Sequence, residues 1–166
     1  MAWMRVVIKK QVQNNTVESL NIVDIISDIA SNSEGLISPE EIRWKIDETI
    51  SDIAVYLPHE KIIVIKWSIF EQKSEWEQRV ILAHEIAHYK HNEIRKKYWS
   101  SLMIAEEILC DWFICRIGLK EDLQKFRQQY PAYGKAYADL FEDYLDLPKL
   151  SETSHKWLFY KRAGLV

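Results

Sequence analysis

The stretch Ser74-Glu75-Trp76-Glu77-Gln78-Arg79-Val80-Ile81-Leu82-Ala83-His84-Glu85-Ile86-Ala87-His88 decides how the chain is read. Ser74 and Glu77 make a capping box, and the pattern after them continues as a helix to about Trp99. Residues four apart on a helix point the same way, so His84 and His88 share a face. Val80, Ile81 and Ala87 flank them, so both rings sit among apolar neighbours and need polar partners. Glu85 lies about 60–100° round the axis, able to reach a water on an ion held by the histidines without binding the ion itself. This His-Glu-x-x-His spacing is that of a zinc (Zn2+) hydrolase. The plain alternative is a pair of hydrogen-bonded core histidines.

A catalytic zinc takes three protein ligands. The metzincin pattern asks for Gly at 91 and His at 94, where this chain has His91 and Ile94. His91 follows His88 on the same face but lies more than about 10 Å along a straight helix from His84, so it reads as a face residue. A Glu with an Asp one turn later occurs at Glu48/Asp52, Glu107/Asp111 and Glu142/Asp146. Only the middle pair lies in a segment, Leu102–Ile117, that is apolar nearly all round, and a carboxylate buried there needs a metal or another partner. Glu107 is the favoured third ligand. Asp111 would then accept the outer N–H of a ligating imidazole. Glu106, His91 and Cys110 remain rivals for the third position.

Outward from the motif, Thr16–Ser31 has the helical period. Ser38-Pro39-Glu40-Glu41 opens a helix to about Ile50, and Ile53–Leu57 and Lys61–Trp67 read as a β-hairpin across Pro58-His59-Glu60. Met1–Gln13 holds a short strand. A further helix ends at Gly118, and helices fill Lys120–Gln129, Ala132–Asp146 and Ser151–Arg162. The expected class is α+β: a small antiparallel sheet, with its hairpin near 53–67, packed with several helices. A single domain spans 1–166, with a motif core at about 37–117 and C-terminal helices over 120–162.

Composition narrows the function. Apolar residues make up 48% of 166, which supplies a core. Gly 4 and Pro 4 are too few for the many turns of an all-β fold. The charge, 22 Lys+Arg against 25 Asp+Glu or −3, argues against direct nucleic-acid binding. No run approaches the ~20 apolar residues of a membrane helix, and no leader is evident. Two cysteines, Cys110 and Cys115, make no disulfide framework, so a cytoplasmic protein is expected, its oligomeric state open. The aromatic series Tyr130, Tyr133, Tyr137, Phe141 and Tyr144 reads as a core-facing stripe. Arg95-Lys96-Lys97 reads as a solvated helix end, and His59 and His155 as surface residues.

His84–His88 with Glu107-x-x-x-Asp111 resembles the gluzincin metallopeptidases. The hairpin leading into the motif helix brings it near the ImmA/IrrE family, over roughly Ile37–Ile117. That resemblance implies a zincin-like fold, His84, His88 and Glu107 as zinc ligands, and Glu85 as catalytic acid/base. It implies a protein or peptide substrate, with a helix-turn-helix repressor as the expected class. The alternative is a metal-containing regulatory module that docks a partner protein without turnover.

Overall fold

The computed structural model describes residues 16–98 and 106–133. The expected strand in Met1–Gln13, the helix Ser151–Arg162, His155 and most of the helix Ala132–Asp146, with Tyr137, Phe141 and Tyr144 of the aromatic stripe, lie outside the described residues, whereas Tyr130 at its start packs against the core.

The first helix, α1, is Thr16–Ser31, as its period predicts. Ile22, Ile25, Ile26 and Ile29 form its buried face. The expected helix from Ser38 is instead one 3-10 turn, Pro39–Glu41. The Ser38 hydroxyl donates to Glu40 rather than capping. The Glu41 carboxylate is held by Lys90, and its carbonyl accepts from the Tyr89 hydroxyl at 2.8 Å. The chain then extends into strand β1, Trp44–Ile46.

Strands β2, Ala54–Leu57, and β3, Ile62–Ile65, form the expected hairpin. Strand β1 adds to the far side of β3 in parallel, with Trp44 opposite Ile63 and Ile46 opposite Ile65. The sheet is therefore mixed, in the order β1-β3-β2, where an antiparallel one was expected. Ile63, Val64 and Ile65 are fully buried, as befits the central strand.

A single helical turn, α2, Trp67–Phe70, leads to the motif helix α3, Glu75–Tyr89. Its start is the predicted box: Glu77 Oε2 accepts from the Ser74 N–H at 2.7 Å and from the Ser74 hydroxyl at 2.5 Å. The helix ends at Tyr89, ten residues short of Trp99, and after Lys90 α4, His91–Tyr98, follows. Helix α5, Glu106–Arg116, is buried from Ile108 to Cys115. Gly118, at φ +88°, turns the chain after it, a conformation that suits glycine. Helix α6, Lys120–Gln129, and a 3-10 turn, Pro131–Tyr133, complete the described chain.

Helix α3 is the hub. It packs on α5, α6, α1 and β2. Leu82, Ala83, Ile86 and Ala87 are wholly buried, which leaves the His84–His88 edge facing α5 and β2. Among the described residues, no helix is long and apolar enough to cross a membrane.

Candidate metal centre

The i, i+4 spacing on α3 brings His84 Nε2 and His88 Nε2 to 3.1 Å of each other. The first turn of α5 lies across them. Glu107 Oε2 is 3.3 Å from His84 Nε2, and Glu107 Oε1 is 3.4 Å from His88 Nε2. A tetrahedral ion with metal–donor bonds of ~2.0–2.1 Å spaces its donor atoms about 3.3–3.4 Å apart. These three side chains therefore fit such an ion in both donor type and spacing. They belong to two helices, and α3 and α5 share the largest helix–helix contact in the fold.

The histidine nitrogens also have a sulfur neighbour. His84, His88 and Cys110 present one nitrogen each and the thiol sulfur, all within 4.8 Å of one another. Burial pushes the Cys110 thiol up to about 11, against the opposing hydrogen bond with His88.

The remaining groups are arranged differently from expectation. Asp111 was expected beneath an imidazole. Its carboxylate instead accepts from Arg127 Nη2 at 3.0 Å, because α6 carries that guanidinium into the same buried space. Asp111 is 2% exposed, and burial raises its pKa while Arg127 opposes the rise. The outer ring nitrogen is served by Glu106: His88 Nδ1 donates to Glu106 Oε1 at 2.7 Å. That contact fixes the ring so that Nε2 faces Glu107. Glu107 itself was expected to be buried. It is 68% exposed at its side chain, since it sits in the first turn of α5, ahead of the buried run. His91 begins α4 beyond the break at Lys90 and is not brought to the histidine pair; its ring Nδ1 is buried without a partner.

Electrostatics tie these groups together. Burial lowers the His88 pKa, but hydrogen bonds with Cys110, Glu107 and Glu106 overcome this and raise it well above the usual imidazole range. Hydrogen bonds with His84 and His88 hold Glu107 far below the usual carboxylate range.

Glu85 lies beside the donor cluster and reaches the sheet. Its Oε2 accepts the Tyr56 backbone N–H of β2 at 2.7 Å. Burial raises its pKa, with His84 and His88 acting against the rise. A carboxyl whose pKa is raised in this way is a better proton acceptor than an ordinary one. Glu85 and His88 line a groove with Ala54, Tyr56, Pro58 and Glu106. On the other side, Glu85 and His84 border a small apolar cavity with Ile81, Ile114, Leu123 and Phe126.

Glu106 and Cys110 are the neighbours that sequence reasoning undervalued. Glu106, a rival for the third position in the sequence, serves instead the outer nitrogen of His88. Its one available signal was its place next to Glu107, at the same helix start. A family model described as Peptidase family M48 matches residues 20–133 of the chain. No curated protein and no solved structure matches it.

Proposed function

The chain belongs to peptidase family M48, and from that premise we propose that it is a zinc-dependent endopeptidase with His84, His88 and Glu107 as metal ligands and Glu85 as its acid–base group. The observation that carries this reading is the convergence of two imidazole nitrogens and one carboxylate at 3.1 to 3.4 Å, with a second, pKa-raised carboxyl beside them. A pair of structural core histidines would not require Glu107 against both rings.

His84, His88 and Glu107 would hold the zinc, which when bound would supply Lewis-acid chemistry at the scissile carbonyl and its attacking water. Glu85 takes the proton of the attacking water and passes it to the leaving amine, a role typically worth about 10²–10⁴-fold. The Tyr56 N–H keeps Glu85 aimed along β2. Glu106, through Nδ1 of His88, holds that ring in register.

The sheet edge supports a polypeptide substrate. Strand β2 is the edge strand of the described sheet. Because its Tyr56 N–H goes to Glu85, that residue's backbone faces away from β3 and along the groove. An extended peptide laid on this edge would pass Glu85 and His88 in mid-chain, as an endopeptidase requires. The likeness to the ImmA/IrrE peptidases makes a cytoplasmic helix-turn-helix repressor the substrate class we favour.

The test is Glu85→Gln. Glutamine keeps the size of the side chain and an oxygen to accept the Tyr56 N–H, but it takes up no proton. The variant should keep its zinc and its thermal stability and lose cleavage of the target protein by at least about 10²-fold. If the regulatory effect in cells survives this substitution unchanged, the protein acts by docking and the peptidase reading fails.

A further inference from the structure

We propose that the apolar cavity bordered by His84 and Glu85 receives one side chain of the polypeptide substrate, so that cleavage selects a small aliphatic residue on one side of the scissile bond and is tolerant on the other. The inference rests on the proposed peptidase reading and deepens it, from a polypeptide substrate to a particular kind of cleavage position.

The backbone of β2 brings a peptide to this cavity. The Lys66 N–H donates to the Ile53 carbonyl at 2.9 Å, so Ile53 faces β3. The Tyr56 N–H donates to Glu85, so Tyr56 faces the open side. Successive residues of a strand alternate, and Ala54 therefore turns its N–H and C=O to the same side as Tyr56. There the Tyr56 N–H is already taken, and Pro58, next on that side, has none. Ala54 is thus the position of β2 at which an extended peptide exchanges both backbone hydrogen bonds. Ala54 and Glu85 border both the groove and the cavity. A peptide held at Ala54 consequently has the cavity and the groove within reach of its side chains.

The two spaces make different demands. Ile81 of α3, Ile114 of α5 and Leu123 and Phe126 of α6 wall the cavity, and they reward carbon over polar atoms. Arg127 also lines it, but its guanidinium is engaged by Asp111 at 3.0 Å. The cavity measures about 60 Å³, whereas an apolar cavity of about 150 Å³ is needed to hold benzene. It therefore suits an aliphatic side chain and excludes an aromatic ring. The groove measures about 400 Å³ and carries Asp52, Tyr56 and Glu106 on its walls, so it imposes little limit on size.

The experiment digests a random-sequence peptide library with the zinc-loaded full chain and reads the cut positions by mass spectrometry, counting only cuts that Glu85→Gln does not make. One residue flanking the cut should be alanine, valine, isoleucine or leucine. It should be favoured over phenylalanine and tryptophan by at least about tenfold, since a single methylene in an apolar pocket discriminates by about 10–200-fold. The other flank should show no such bias. Ile81→Ala removes carbon from the cavity wall at a residue that is 8% exposed, and it should admit phenylalanine at the selective flank while leaving the other unchanged. The parent's profile decides the matter even if that variant does not fold. Cuts with no aliphatic preference at either flank, equal acceptance of phenylalanine by the parent, or a folded Ile81→Ala with the parent's profile would overturn the inference and leave the proposed function standing. A zinc-loaded parent that cuts nothing in the library would overturn the peptidase reading itself, and this inference with it.

Discussion

At the scale of single residues, the proposed metal donors stand on unequal footing. His84 and His88 are held by the interior of α3, whereas Glu107 reaches them from an exposed first turn. Replacing either histidine with alanine should abolish tight zinc binding. Glu107→Ala should weaken it more than Glu106→Ala, because Glu106 touches only the outer nitrogen of His88 and such partners are worth about 10–100-fold. His91→Ala should leave affinity unchanged. Equilibrium zinc titration of the five variants gives the ranking, and a larger loss at His91 or Glu106 than at Glu107 would displace Glu107 as ligand. The histidine pair was legible because four-residue spacing on a helix fixes direction without reference to the rest of the fold. The proton relation between His88 and Glu107, and the exchange of Asp111 for Glu106 at the outer nitrogen, were not. They depend on where α6 and the start of α5 arrive in space.

At the scale of elements, local signals held where they had no strong competitor. The Ser74–Glu77 box, the hairpin strands and the all-round apolar α5 follow their sequence patterns. The Ser38–Glu41 signal failed because tertiary partners took its groups. Glu41 went to Lys90 and Tyr89, and Trp44–Ile46 gained a strand partner in β3, an outcome that helix propensity cannot outweigh. The break at Lys90 has no Gly or Pro to announce it. The same interplay joins α5 to α6 through Asp111 and Arg127, whose side chains are 2% and 11% exposed. Removing one member of a buried pair strands the other charge and typically costs about 3–5 kcal/mol. Arg127→Leu should therefore destabilise the fold by about that amount. The double change Asp111→Leu with Arg127→Leu should recover much of it, since no charge is then left unpaired. Denaturant unfolding of the two singles and the double closes the cycle; strictly additive losses would show that the pair is not coupled.

At the scale of the whole molecule, the proposed site would act as a clasp between α3 and α5, and an ion there would set how stability varies with pH. The raised His88 pKa and the lowered Glu107 pKa both favour a charged contact between the two helices, at 3.4 Å. A group whose pKa is raised on folding contributes stability fully below its unfolded value, about 6.5 for histidine. That contribution is lost as pH rises toward the raised value. Glu107 is lowered on folding, so its share is present above its unfolded value of about 4.3 and lost as pH falls below it. The metal-free protein should accordingly be most stable between about pH 4.5 and 6.5 and weaken on the alkaline side. A bound ion reverses the trend, because it must displace the His88 proton and so binds more tightly as pH rises. Since the ion stabilises only the folded state, the gap in melting temperature between zinc-loaded and chelator-treated protein should widen from about pH 5.5 to about pH 8. Thermal unfolding of both forms across that range measures the gap directly. A gap that stayed constant or narrowed would mean that the ion does not compete with the His88 proton, and that it sits somewhere other than between these two helices.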